Sequence, residues 1–180
     1  SRNTANFNIT PYLQKGKNTV AAEVYRSSDG SFLEAQDMFR LPGIFRTVAL
    51  YSVPKVHFRD LVATPDLDAT YTDGSLTVNA EIRNLDKKAI KDYKVYYSLY
   101  ANKLYSDENT LVDGFLSPVI DKIAPNETGS VQTVLKVKAP NKWSAEFPYR
   151  YTLVAELKDK KNRTVEMVST IEACQHQSCT

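Results

Sequence analysis

Two cysteines, Cys174 and Cys179, are all the chain has, and both fall within its last seven residues. They cannot staple the body of the protein, so the fold must be held by apolar packing, and they do not indicate a redox compartment. Histidine is as scarce. With only His57 and His176 present, no Ser-His-Asp or Cys-His nucleophile set can be assembled, and there is no Gly-rich phosphate loop. No apolar run approaches the ~20 residues of a membrane span, so no membrane partner is expected. The formal net charge of +2 is small and mixed in sign along the chain, which argues against a nucleic-acid partner. Ser1 opens neither a charged n-region nor an apolar h-region, so no targeting signal is visible, and cytoplasm and periplasm are equally open. A convincing amphipathic helix is also missing.

What is present is a period of two. Leu76, Val78, Ala80 and Ile82 alternate with Thr77, Asn79, Glu81 and Arg83. Successive side chains of a strand point to opposite faces, so this segment buries one face and wets the other. Tyr93, Val95, Tyr97 and Leu99 repeat the logic, as do Val131, Thr133, Leu135 and Val137, and then Tyr151, Leu153, Ala155 and Leu157. Val165 and Met167 mark a last strand, and residues 56–62 and 115–123 are further candidates. Turn chemistry separates the runs. Asp73-Gly74 is expected to supply the positive φ of a tight turn, residues 84–91 form a polar, Lys-rich connection, and 125–129 and 159–162 read as turns. About seven short strands at these spacings predict an immunoglobulin-like sandwich over residues 54–170.

Residues 1–53 read differently. Residues 19–25 and 46–52 are expected strands, but the stretch between them has no strand pattern, and two or three strands do not make an independent sheet domain. The segment is expected to be the end of a preceding jelly-roll domain, with the boundary at Pro54. The fold class is therefore all-β, an immunoglobulin-like β-sandwich preceded by the last strands of a jelly-roll.

Three motifs carry a family resemblance. Ser27-Ser28-Asp29-Gly30-Ser31-Phe32-Leu33-Glu34-Ala35-Gln36-Asp37-Met38-Phe39-Arg40, followed by Gly43-Ile44-Phe45-Arg46, resembles the sugar-binding-domain motif of glycoside hydrolase family 2. The form is that of the large β-galactosidases; β-glucuronidases lack the S-D-G-S…Q-D-M run. Phe7-Asn8-Ile9-Thr10-Pro11-Tyr12-Leu13 with Gly16-Lys17-Asn18, and Pro140-Asn141-Lys142-Trp143-Ser144-Ala145-Glu146-Phe147-Pro148, resemble two further segments of the same family. The resemblance covers about residues 2–170. It implies a jelly-roll sugar-binding domain, a sandwich, and then a (β/α)8 barrel holding the paired glutamates of a retaining glycosidase, ~5 Å apart. On this reading the barrel lies outside the chain, which is a non-catalytic fragment whose partner is that missing barrel and which meets a galactoside only in the parent. A free-standing carbohydrate-binding or adhesion module is the alternative.

The resemblance also implies site residues. Asp37 would reach the galactose 6-hydroxyl and an active-site sodium in the parent, and Asp29 would hold a structural magnesium; both are hard cations that take oxygen ligands. The fragment alone is expected to carry no cofactor. Read without the family, Asp37 is a loop carboxylate and Asp29 part of an Asp-Gly turn. Glu34 and Asp37, three apart on a loop, are not a general acid/base pair. Arg40 and Arg46 are expected to hold the loop by ion pairing, and Trp143 to pack the end of the sandwich. The sequons at Asn8, Asn126 and Asn162 are short enough to occur by chance. From Ile171 onward the sequence departs from the family, so 171–180 is expected to be a non-native or disordered tail. Open strand edges make self-association into a homo-oligomer an expected outcome.

Overall fold

The computed structural model describes residues 5–33, 43–44 and 46–174. The chain divides into two compact units, Ser1–Tyr51 and Ser52–Thr180.

The second unit is built on seven strands: β1 (Val56–Leu67), β2 (Gly74–Asn84), β3 (Lys94–Asn102), β4 (Asn109–Leu116), β5 (Thr128–Val137), β6 (Tyr151–Lys158) and β7 (Thr164–Glu172). They form two antiparallel sheets, one ordered β1-β2-β5 and the other β4-β3-β6-β7. The alternation read from the sequence supplies the inner faces. Leu76, Val78, Ala80 and Ile82 of β2, Val95, Tyr97 and Leu99 of β3, and Tyr151, Leu153, Ala155 and Leu157 of β6 are all buried. Val131 and Leu135 of β5 complete the layer. Tyr97 is fully buried and stacks on Phe115 with ring centroids 4.8 Å apart. Ile120 and Ile123 plug one end of the sandwich and Cys174 joins the core at the other.

Two strands break the alternation, each at a bulge. In β1 the register shifts between Phe58 and Asp60, so Leu61 and Ala63 pack against the core while Val62 turns outward, 47% exposed. An extra residue in one strand flips the faces of everything after it. In β7 the shift lies opposite Leu157 and Lys158. Val165 and Val168 therefore pack inward, and Met167 is 58% exposed. The two bulges meet: the Phe58 amide, freed at the β1 irregularity, donates to Glu166 Oε2 at 2.6 Å. That carboxylate ties the edge of one sheet to the edge of the other.

Other expectations are corrected. Gly74 does not provide a left-handed turn; the connection is the longer loop 68–73, and its left-handed residue is Tyr71, φ 57°. Gly74 lies in the sheet, where a Cβ would stand 3.0 Å from Pro140 Cγ. The strand predicted near 115–123 is displaced to β4, and Ile120 and Ile123 make isolated bridges to Tyr93 and Ile90. Ile171 and Glu172 finish β7, and Cys174 is buried with its carbonyl accepting from Trp143 N at 2.9 Å. The tail expected from 171 is thus ordered to 174, and 175–180 lie outside the described residues.

One buried polar residue organises the end of the sandwich that Ile120 and Ile123 close. Asn84, fully buried, donates through Nδ2 to the carbonyls of Lys88, Ile123 and Ala124 at 2.9–3.2 Å and accepts from Asp86 N through Oδ1 at 2.9 Å. Its own amide donates to Glu127 O, and its carbonyl accepts from Asn126 N. One side chain thereby satisfies two loops whose backbone would otherwise be buried unpaired. Replacing Asn84 by Ala is expected to cost about 3 kcal/mol or more, because it strands several buried groups at ~1–3 kcal/mol each. Denaturant unfolding with an unchanged m-value checks this; a loss below about 1 kcal/mol would contradict the role.

The first unit holds a 3-10 turn at Thr10–Tyr12 and a one-turn helix, α1 (Asp29–Leu33). No described residue of 5–33, 43–44 or 46–51 belongs to a strand. The strands expected at 19–25 and 46–52 are therefore not formed, since alternation makes a strand only when a neighbouring chain accepts its ladder of hydrogen bonds. The large apolar side chains of this unit stay exposed, among them Phe7, Val20, Phe32, Leu33 and Leu50, each more than 75%.

Candidate functional site

The residues that the resemblance points to lie in the first unit. Phe7 to Leu13 forms a capped turn: Asn8 Oδ1 accepts from Thr10 N at 3.1 Å, and Pro11 sits at the start of the turn, where no amide is needed. Gly16 adopts φ 101°, which favours glycine. Asn18 closes the loop around it, accepting from Gln14 N and donating to Gln14 O and Gly16 O at 2.8–3.0 Å. The Gly-x-Asn spacing is thus a loop-closing device.

Asp29, read as part of an Asp-Gly turn, instead opens α1. Ser28 and Ser31 brace the start of the helix through Ser31 N to Ser28 O at 2.8 Å and Ser28 N to Ser31 Oγ at 3.2 Å. The Asp29 carboxylate is exposed in the first turn, where negative charge complements the helix end. Among the described residues no group of three acidic, His or Cys side chains could hold a metal ion. Asp29 alone offers a cation a single side chain, whereas magnesium wants about six oxygens. Asp37, Glu34 and Arg40 lie outside the described residues.

In the sandwich several carboxylates are held by nearby backbone amides, hydroxyls and cations. Asp68 takes Thr72 N at 2.8 Å and the Thr70 hydroxyl, and these donors hold its carboxyl below the usual range. Asp159 takes Arg163 N, Lys161 N and the Arg163 guanidinium, with the Arg163 amide the largest cause of its lowered pKa. Glu146 is lowered by its own backbone N–H and the Ser144 hydroxyl. Lys158, 3.1 Å away, and then the Thr164 hydroxyl lower Glu156. Every described carboxyl whose pKa is displaced is displaced downward. Tyr97 moves the other way: burial pushes its phenol up to about 12.

Residues 140–148, the third motif, bend over one end of the sandwich. Trp143 bridges to Pro148, Ser144 N donates to Phe147 O at 3.0 Å, and Phe147 N to Ser144 Oγ at 3.1 Å. Asn141 N donates to the Tyr151 hydroxyl at 2.7 Å, anchoring the bend to β6. Trp143 does not pack into the core as expected; it is 40% exposed. His57 receives an ordinary role, with Nδ1 3.0 Å from Pro54 O. Sequence reading passed over Asn84 and Glu166. Glu166 carried a faint signal, a carboxylate beside Val165 in an otherwise apolar-alternating strand.

Comparison with known proteins matches this division. Residues 1–54 match the sugar binding domain of glycosyl hydrolases family 2, and residues 56–171 match the family 2 domain that follows. The chain belongs to glycosyl hydrolase family 2. It is 41% identical over 165 residues to a β-galactosidase of Priestia megaterium, covering 92% of this chain and 15% of that protein. A β-galactosidase of Pseudoalteromonas haloplanktis is 37% identical over 172 residues, again 15% of the relative. Among solved structures, the β-glucuronidase of Bacteroides uniformis superposes with a TM-score of 0.76 at 19% identity, over 93% of this chain and 20% of that one, a likeness of fold. The chain spans about 15% of the length of the curated relatives it matches.

The lowered Asp159 pKa makes a pH prediction. A carboxyl whose folded pKa lies below its unfolded value, ~3.9 for Asp, stabilises the fold above that value, and the contribution fades as pH falls through the folded pKa. Asp159→Asn is expected to lower stability at neutral pH and to flatten the acid limb of the stability curve below about pH 4. Parallel acid limbs for the two proteins in thermal melts across pH would show that the Asp159 turn contributes nothing.

Proposed function

We propose that this chain is a non-catalytic portion of a β-galactosidase. Its sandwich orients the sugar-binding unit against a (β/α)8 barrel elsewhere in the parent, and the 27–46 loop contributes to the rim of the active site. The observation that carries this reading is the disproportion between its two coverages: 92% of this chain aligns with a β-galactosidase, of which it makes up 15%. In the parent, Asp37 contacts the galactoside and a sodium ion, and Asp29 joins oxygen ligands from other segments around magnesium.

The exposed apolar side chains of the first unit and the free edges of β4 and β5 support a second part of the proposal, that the isolated chain self-associates. A strictly monomeric species in light scattering at high concentration would contradict it.

The direct test is nitrophenyl-galactoside hydrolysis by the chain alone and after addition of a polypeptide carrying the rest of a relative. No turnover alone and turnover on complementation are expected, and Asp37→Ala is expected to lower the complemented activity by about 10-fold or more, as for a lost substrate contact. Turnover by the chain alone would overturn the reading.

A further inference from the structure

A sheet is open to association where an edge strand leaves its amides and carbonyls unpaired. The edge strands of the sandwich are β1 and β5 on one sheet and β4 and β7 on the other. All but β5 are closed or blunted. β1 packs beside β7, and the Phe58 amide of β1 donates to the Glu166 carboxylate of β7 at 2.6 Å. β4 carries a bulge at Val112, where its pairing skips from Asp113 to Leu111 while β3 advances from Leu99 to Tyr100. The Ser117 amide donates to Val95 O, and alternation from there turns the Gly114 amide to the outer side of β4. Asp113 Oδ1 accepts that amide at 2.7 Å. A bulge and a carboxylate on the edge stop a further strand from adding.

β5 has neither device. It pairs with β2 from Thr128 to Val137 without a register shift. Which of its backbone groups face outward follows from its neighbour. The Asn84 amide and carbonyl bond toward the β5 side, at Glu127 and Asn126, whereas the Leu85 amide bonds toward the β1 side, at Lys55. Alternating back along β2, its even-numbered residues face β5 and claim the odd-numbered residues of 129–137. Thr128, Ser130, Gln132, Val134 and Lys136 therefore turn their amides and carbonyls to the open edge. Among the described residues no loop or side chain bonds to these groups. Val134 stands in this row with its side chain 56% exposed.

The edge is complementary to itself. Two copies related by a two-fold axis through Val134 pair antiparallel, with Val134 on Val134, Gln132 on Lys136 and Ser130 on Lys138. The exposed valines cover each other. Lysines guard one end of the edge, but in this arrangement the nearest lysines of the two copies lie about 13 Å apart along the strands. Lys138 of the second copy arrives beside Ser130, in the row that Glu81 of β2 continues. Parallel pairing would instead set like charges side by side.

We infer that the outer edge of β5 is the self-association site of this chain, and that its partner is β5 of a second copy, joined antiparallel into one continuous sheet. The inference rests on the reading that the isolated chain self-associates, and it gives that association its surface and its symmetry.

Sedimentation velocity on the 180-residue chain over a rising concentration series, with amide exchange followed in parallel, tests it. A monomer–dimer equilibrium is expected, with concentration-dependent protection of the Ser130, Gln132, Val134 and Lys136 amides. Val134→Lys should raise the dimer Kd about tenfold or more, since it sets like charges face to face on the axis. Val134→Pro removes an amide that β2 does not use and should abolish the dimer with the β2–β5 ladder intact. Should that variant unfold, Val134→Lys decides. Leu111→Lys, at an exposed position of β4, should leave the Kd unchanged. A strictly monomeric chain would overturn both this site and the self-association reading beneath it. Association at an unchanged Kd in Val134→Lys, or protection that maps to β4 or to residues 5–33, would overturn the β5 site and leave self-association standing.

Discussion

The fold depends on burying two sheets against each other along β2, β3 and β6. These strands carry most of the buried apolar side chains, from Ile82 and Val95 at one end to Leu76 and Tyr151 at the other. A half-apolar strand gains nothing until a second sheet covers it, so neither sheet is stable without its partner. No disulfide supplements this packing among the described residues, where Cys174 is a free, buried thiol whose pKa burial raises. Everything else is arranged around the constraint: bulges that correct face parity, a carboxylate that joins the two edges, and an asparagine that fills the polar needs of one end.

The division of the chain follows from where the constraint ends. The sandwich closes on its own residues, whereas the residues before it expose most of their large apolar side chains and form no ladder. The chain spans about 15% of the length of the relatives it matches. Within the sandwich, carboxylates hold turns together. Their depressed pKa values are those of structural acceptors.

The central strands were legible in the sequence because their alternation is undisturbed: Leu76 to Ile82, Val95 to Leu99 and Tyr151 to Leu157 are buried as the period of two requires. The edge strands were legible only in part. A bulge is a backbone event without a residue signature, so the exposure of Val62 and Met167 had no signal in the sequence. Residues 19–25 misled for another reason: alternation records what a segment would do with a neighbour, and none is present in the ladder sense. Asn84 was hidden because an asparagine at a strand end reads as the start of a turn, and only the tertiary fold shows two loops converging on its amide. The candidate site was legible through resemblance alone. Neither Asp29 nor Asp37 stands out by composition or spacing.

Native-state hydrogen exchange on the whole chain tests most directly whether stability resides in the packed pair of sheets. Amides of Val78, Ala80, Ile82, Tyr97, Leu153 and Ala155 should exchange slowest and as one cooperative group, while residues 17–25 exchange at nearly unprotected rates. Comparable protection in residues 17–25, or independent opening of the two sheets, would contradict the account.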